Sequence, residues 1–131
     1  MDIVKFFSLL FGDAGEARRL AKDANSIIES VQLGQGAEKQ RDVAVLVRRT
    51  LTPTCQAVSE DSARFGPVLD ELKRAHRDCR AANRDTEYTA FTLCIIYLRA
   101  MQLGDMAMAA RECIDQFLAD WNHIEDDTVS A

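Results

Sequence analysis

Side chains that could bind a metal ion are scattered along the sequence. His76 and Cys79 are three residues apart on a predicted helix, and Asp120 lies three residues before His123. Zinc sites usually show paired C-x-x-C or H-x-x-H spacing, which this sequence lacks. Di-metal helical bundles repeat an E-x-x-H pattern on several helices, which is also absent. We therefore predict no metal site and no cofactor.

Nucleophilic catalysis needs a nucleophile, a base and a group that orients the base. The two histidines have no serine or cysteine beside them in a recognisable nucleophile elbow. Six glycines are too few and too dispersed to build an oxyanion loop or to hold a phosphate. The sequence therefore predicts a protein that is not an enzyme.

A row of basic residues has helical spacing. Lys73, Arg77, Arg80 and Arg84 are four, three and four residues apart, so they share one face of a helix. No aromatic residue is interleaved with them, although nucleic-acid surfaces usually supply aromatic rings for stacking. The row pairs with acidic residues on its own helix, binds an acidic partner, or contacts the acidic C-terminal segment of its own or a neighbouring chain. We call these four residues the basic stripe and predict that they bind a protein.

The negative charge of the chain is concentrated at its C-terminal end. The net charge is −5, and residues 105–131 contain one arginine and seven acidic residues. Such a segment would repel phosphates, which argues against a nucleic-acid partner. We predict that Asp120, Asp126 and Asp127 contact a partner, and that residues 122–131 form a flexible acidic tail.

The composition favours a helical fold. Alanine, leucine, arginine and acidic residues dominate, there are two prolines, and no strand-length alternation of apolar and polar residues occurs. The 131 residues have the length of one domain. We predict an all-α protein, a compact bundle of six or seven antiparallel helices in one domain over residues 1–121.

Several helix boundaries can be predicted from glycine and proline. Gly12 is expected to end a short first helix over residues 2–11, and Pro53 to interrupt the helix that starts at Ala37. Helices are also expected from Pro67 to Asn83 and from Asp85 to Leu103. The second of these is apolar on nearly all sides, which predicts a central position. Gly104 should separate it from a last helix.

The sequence begins with an apolar stretch, MDIVKFFSLLFG, which contains Phe6, Phe7 and Phe11. Burying each large side chain is worth roughly 1.5–3 kcal/mol, so we expect these residues to be covered. They pack on the bundle, form a homodimer or partner contact, or enter a membrane surface. The membrane is the least favoured because an interfacial helix usually carries more basic residues than Lys5 alone. The longest apolar run, Phe91 to Leu98, is shorter than the ~18 residues of a membrane span.

One segment, YLRAMQLGDMAMAARECIDQF, resembles the inner turn of a tetratricopeptide hairpin. Gly104 and Asp105 match its short turn, and Ala109 matches the small residue four places later. Tyr97 and Gln116 depart from the pattern, which has small residues at their positions. The resemblance covers residues 88–121, and it implies a helical surface that binds proteins without catalysis.

We therefore predict a non-enzymatic helical protein-interaction module, an adaptor or regulator that binds its partner through a helical face. One alternative is a small acidic inhibitor, of the immunity or phage-encoded type, that covers a basic site on its target. Another is a peripheral membrane protein anchored by residues 2–11. The four cysteines occupy apolar helical positions, which favours free thiols and a cytoplasmic protein.

Overall fold

A computed structural model describes the backbone of residues 3–34 and 36–121 and the side chains of residues 12–34 and 36–121. This part of the chain is helical throughout apart from short turns and contains no strand. The five α-helices are α1 (Ile3–Gly34), α2 (Ala37–Glu60), α3 (Phe65–Ala81), α4 (Asp85–Leu103) and α5 (Met108–Ala119). Two 3₁₀ turns connect helices: Ser62–Arg64 precedes α3, and Gly104–Ala107 joins α4 to α5.

The all-α prediction is confirmed, but the predicted number of helices is wrong. With the 3₁₀ turns included, the described residues form four continuous helical stretches rather than six or seven separate helices. Two of the surplus helices came from treating a glycine and a proline as ends of helices, and a third from counting α4 and α5 separately, although the 3₁₀ turn at Gly104–Ala107 joins them. The structure has helical backbone at the positions of that glycine and that proline.

The first of these positions is Gly12. The α1 helix, which is described from Ile3, runs through it without interruption, so the predicted end of a short first helix at Gly12 is wrong. A glycine inside a helix costs about 1 kcal/mol relative to alanine, which good helix formers and buried neighbours offset. From Ala17 to Val31, α1 buries a stripe of small and branched side chains. The side chains of Phe6, Phe7 and Phe11 lie outside the described residues.

The second position is Pro53, which lies inside α2. Proline has no N–H to donate to the carbonyl four residues earlier, and its ring crowds that carbonyl. Two threonines next to the proline donate their hydroxyls to carbonyls of the preceding turn: Thr52 Oγ1 to Arg48 O at 2.9 Å and Thr54 Oγ1 to Thr50 O at 2.8 Å. These hydroxyls supply hydrogen-bond donors next to the position where Pro53 lacks an N–H, and α2 continues to Glu60.

A left-handed residue reverses the chain between α3 and α4. Asn83 has φ 57°. Its N–H donates to Arg80 O at 3.2 Å, and the N–H of Arg84 donates to Cys79 O at 2.9 Å. These two bonds form a Schellman motif that satisfies the last carbonyls of α3. Two helices on either side of this turn were expected, and both are present, but α3 begins at Phe65 and ends at Ala81 instead of running from Pro67 to Asn83.

The helix α4 is central, as its composition predicts. It contacts each of the other four helices. Leu93, Cys94 and Leu98 are fully buried, and so is Ala100. Burying one large aliphatic side chain is worth roughly 1.5–3 kcal/mol, so this helix contributes a large share of the stabilising contacts.

The inner face of the last helix agrees with its sequence pattern only in part. That pattern places Met106, Ala109, Cys113, Phe117 and Trp121 inward. Phe117 is buried and Cys113 and Trp121 are half-buried, but Met106 and Ala109 are exposed, Met106 to 51%. The buried residues are Ala107, Ala110, Ile114 and Phe117. Gly104 leaves the helical conformation at φ 72°, and the 3₁₀ turn that follows has three residues per turn. This local geometry changes the register that a continuous α-helical period would give.

An ion pair connects α1 to α4. Arg99 donates from Nη2 to Glu16 Oε1 at 2.8 Å and from Nε to Glu16 Oε2, so the guanidinium binds the carboxylate with two parallel bonds. The side chains are 35% and 24% exposed. The hydrogen bond from Arg99 is the main cause that lowers the pKa of Glu16, and the neighbouring cations act in the same direction.

We expect Gly104→Ala to lower the free energy of unfolding by about 1–3 kcal/mol, because its φ of 72° strains any residue with a Cβ. Gly12→Ala is the matched control: space is open around its Cβ position, and its backbone is helical. This control should raise stability by about 0.5–1 kcal/mol. Urea denaturation of both variants checks the prediction. Destabilisation by Gly12→Ala would show that the helix breaks there.

We expect Glu16→Gln to lower stability by about 1–2 kcal/mol at pH 7, because it removes a charge-assisted bidentate contact. The lowered pKa of Glu16 means that this contribution is present above its ordinary pKa and is lost as pH falls through the folded value. The difference from wild type should therefore shrink at acid pH in denaturation series. Glu38→Gln is the control, since Glu38 is 84% exposed and 3.9 Å from Arg41. An equal loss in both variants would contradict the prediction.

Candidate partner-binding surface on α3

The basic stripe lies along the exposed surface of α3 and the turn that follows it. Lys73, Arg77, Arg80 and Arg84 are all exposed. The helix packs on α4 through a face that includes Leu69, Leu72 and Cys79. Because α-helical residues advance by about 100° each, the stripe lies roughly a quarter of a turn away from this buried face. The structure therefore brings together the four basic residues that the sequence singled out.

Three of the four cations have no anionic partner in the described part of the chain. No carboxylate there lies within 4 Å of Lys73, Arg77 or Arg80. The fourth, Arg84, has its Nε 3.8 Å from Glu87 Oε2, with both side chains well exposed. Such a surface ion pair is worth about 0–1 kcal/mol. Pairing of the stripe with acidic residues of α3 itself is therefore not seen.

A cleft of about 250 Å³ opens beside the stripe, where α1, α3 and α4 meet. The surface inside it is mostly apolar, and the α1 side has a polar edge. It is lined by Asp23, Ser26 and Ile27 of α1, His76 of α3, and Thr92, Ile95 and Ile96 of α4. The sequence alone did not reveal this cleft, because its residues come from three helices. The one sign of the cleft in the sequence was the position of His76 among apolar residues of α3.

The imidazole of His76 is held by neighbours on α4. His76 Nε2 lies 2.7 Å from Thr92 Oγ1, and the Thr92 hydroxyl donates to Tyr88 O at 2.8 Å. The Thr92 hydroxyl has one proton, which it donates to the Tyr88 carbonyl. In the bond with His76 the hydroxyl oxygen is therefore the acceptor, and His76 Nε2–H is the donor. The imidazole also stacks on the Tyr88 ring, with centroids 4.0 Å apart. Burial, and then the positive charge of Arg80, lowers the pKa of His76.

Metal-binding clusters and the state of the thiols can be examined in the described part of the chain. Among residues 12–34 and 36–121, no group of three or more His, Cys, Asp or Glu side chains could hold a metal ion. The four cysteines are free. Burial raises the pKa of all of them, to about 12 for Cys94. Thiols that stay protonated at neutral pH are poor nucleophiles.

The acidic residues predicted to bind a partner are only partly described. Asp120 is exposed and accepts a hydrogen bond from Gln116 Nε2 at 3.2 Å. Asp126 and Asp127 lie outside the described residues. The nearby Asp115 accepts a bond from the Tyr97 hydroxyl at 3.0 Å. Burial and then this carboxylate raise the pKa of Tyr97 to about 12.

A second cleft, of about 220 Å³, lies where α2, α4 and α5 meet. Arg48 and Tyr97 are on its lining, and both use their polar groups within the fold. Arg48 donates to Leu118 O, and the Tyr97 hydroxyl donates to Asp115. This cleft therefore lacks the exposed cations that distinguish the α3 surface.

One helical stretch in the described chain, Asp85–Ala119, is long and apolar enough to cross a membrane by length and composition. The central helix of a globular protein satisfies the same criteria. Here the stretch is not one regular α-helix, because the 3₁₀ turn Gly104–Ala107, which begins at φ 72°, lies between α4 and α5, and α5 contacts α4.

Comparison with known proteins adds no assignment to this surface. No protein-family model matches the chain, and no curated protein or solved structure matches it significantly.

We expect the imidazole of His76 to titrate below its ordinary pKa of about 6.5. Arg80→Gln should raise that midpoint, because it removes the neighbouring positive charge. Since the folded pKa is lowered, the stability contributed by neutral His76 is present above about pH 6.5 and is lost as pH falls through the folded value. A proton NMR titration of the ring checks this, with Arg18→Gln as the control on α1. An unchanged midpoint in Arg80→Gln would contradict the prediction.

Proposed function

We propose that the protein is a non-enzymatic protein-interaction module, an adaptor or regulator that binds an acidic surface of a partner protein through the basic stripe of α3. The observation that carries this proposal is that Lys73, Arg77 and Arg80 are exposed and have no carboxylate within 4 Å among the described residues. These three neighbouring cations make no close ion pair there, although the charge of Lys73 also reaches Glu16 of α1, and like charges on one face repel one another. An acidic partner would relieve this repulsion.

Charge alone makes a weak interface. Each exposed ion pair contributes about 0–1 kcal/mol, so the stripe mainly accelerates association and rejects basic partners. A stable complex also needs apolar contact, since specific interfaces bury about 800 Å² on each side. The apolar cleft beside His76 lies next to the stripe and supports a mixed interface, with cations at its edge and an apolar centre.

Several features support a binding function over catalysis. The thiols have raised pKa values, and the single described histidine donates its Nε2 proton within the fold. Residues 88–121 also resemble a tetratricopeptide hairpin, and tetratricopeptide repeats are a class of protein-binding structure. Free cysteines in each helix from α2 to α5 support a reducing compartment such as the cytoplasm.

The other interfaces stay predictions. Residues 2–11 remain predicted to form a homodimer, a partner groove or a membrane contact. Their side chains lie outside the described residues. The acidic-inhibitor alternative depends largely on Asp126 and Asp127, which also lie outside them. The exposed Asp120 is available to such an interface.

Selection from a random peptide library displayed on phage tests the proposed function. We expect the immobilised full chain to enrich peptides with several Asp or Glu residues. The variant Lys73→Glu, Arg77→Glu, Arg80→Glu should lose these peptides, because it reverses the charge of the stripe. The matched control is Arg18→Glu, Arg19→Glu, Lys22→Glu, which reverses three exposed charges of α1.

Peptides selected by the wild type should still bind this control variant. The proposed function is wrong if the wild type enriches no acidic peptides, or if the stripe variant retains them as well as the control does. Circular dichroism of both variants confirms that each stays helical.

A further inference from the structure

We propose that the cleft beside His76 is a pocket for one apolar side chain of an acidic amphipathic helix in the partner protein. This inference rests on the proposed function and names the partner's chemistry. The basic stripe would bind the carboxylates of that helix. The cleft would receive an aliphatic or aromatic side chain that projects between them.

The size and lining of the cleft favour a side chain as its occupant. Sites for whole small molecules usually measure about 300–1,000 Å³, and this cleft has about 250 Å³. Ile27 and Ile95 are half-buried on its surface, and Ile96 lies below them. An apolar group that entered would therefore meet branched aliphatic surface.

Two polar groups on the α3 and α4 sides of the cleft are already used within the fold. His76 Nε2 donates to Thr92, and the Thr92 hydroxyl donates to the backbone of Tyr88. A polar ligand group at this position would have to displace one of these bonds, which costs about as much as the new bond returns. Asp23 and Ser26 form the polar edge on α1, so the surface that favours an apolar group is the one formed by the isoleucines.

The charges on the two sides of the cleft differ. On the α3 side, Lys73 and Arg80 flank His76 along the same helix, three and four residues away. On the α1 side, Asp23 lines the cleft, and the exposed cations Arg19 and Lys22 lie one turn before the lining residues. The charges of α1 therefore partly cancel, whereas both charged neighbours of His76 on α3 are cations. A partner with carboxylates next to its apolar side chain would be attracted more strongly on the α3 side, and this difference would orient it.

The spacing of the stripe favours a helix as the partner segment. Lys73, Arg77 and Arg80 recur once per helical turn, along one line of α3. A second helix that lies alongside can repeat its carboxylates at the same interval, as pairs three and four residues apart do within one helix. The complementary partner therefore has acidic residues one turn apart and one apolar residue on an adjacent face.

Methyl NMR of the full chain tests this pocket with three synthetic peptides. The first is an alanine-based helix of 17 residues with a central leucine and glutamates one turn before and after it. The second has serine in place of the leucine, and the third has lysines in place of the glutamates. The readout is the chemical shift of the isoleucine methyl groups of Ile27, Ile95 and Ile96, with the fully buried Ile114 as internal control.

We expect the leucine–glutamate peptide to shift the three cleft methyls and to bind at least about tenfold more tightly than either of the others, because the leucine is removed from water. Ile27→Trp, which fills the cleft, should abolish the advantage of leucine over serine. The charge-reversed stripe variant should abolish the preference for glutamate over lysine. Ile114 should not shift in any titration.

Each other result would overturn the inference. Equal, stripe-dependent binding of the leucine and serine peptides would remove the pocket and leave the proposed function standing. Absence of any stripe-dependent binding would remove both. Cleft methyls that shift with protein concentration alone would assign the cleft to a second copy of the chain. Shifts caused by Glu125→Gln, Asp126→Asn, Asp127→Asn without peptide would assign it to the chain's own C-terminal segment.

Discussion

A helix that is apolar on nearly every side is stable in water only when neighbouring helices cover all of those sides, and α4 imposes this requirement on the fold. It contacts α1, α2, α3 and α5, and Leu93, Cys94 and Leu98 are fully buried. The other helices need only one apolar stripe each, which they direct towards α4 or, for α1 and α5, also towards each other. Their remaining surfaces are free to carry charge, and the exposed cations of α3 are a consequence of this arrangement.

The α3 helix shows how covering a core also creates a candidate site. Its packing on α4 uses a narrow stripe of residues, and the rest of its surface is polar. Where α3 and α1 both approach α4, they leave an apolar cleft between them instead of close contact along their length. The cations and the cleft are adjacent because the same helix contributes to both. A charged surface and an apolar pocket on one element are what a selective interface requires.

The sequence predicted the features that depend on short-range chemistry. The central position of α4 followed from its composition, and the turns at Asn83 and Gly104 followed from residues that tolerate positive φ. The basic stripe followed from helical periodicity alone. The breaks predicted at Gly12 and Pro53 were wrong. Glycine or proline inside a helix costs about 1–3 kcal/mol of stability, which the packing of the rest of the helix and, at Pro53, the hydrogen bonds of neighbouring threonine hydroxyls offset. The cleft could not be predicted, because the contact of His76 with Thr92, and the approach of α1 to both, are tertiary.

The free cysteines have a consequence of a different kind. Each helix from α2 to α5 carries one thiol: Cys55, Cys79, Cys94 and Cys113 in chain order. Their burial ranges from half-buried at Cys55 and Cys113 to complete at Cys94. A buried, protonated thiol reacts with an alkylating reagent only when its helix opens to solvent. The chain therefore carries a native set of labelling positions that distinguishes separation of an outer helix from opening of the whole bundle.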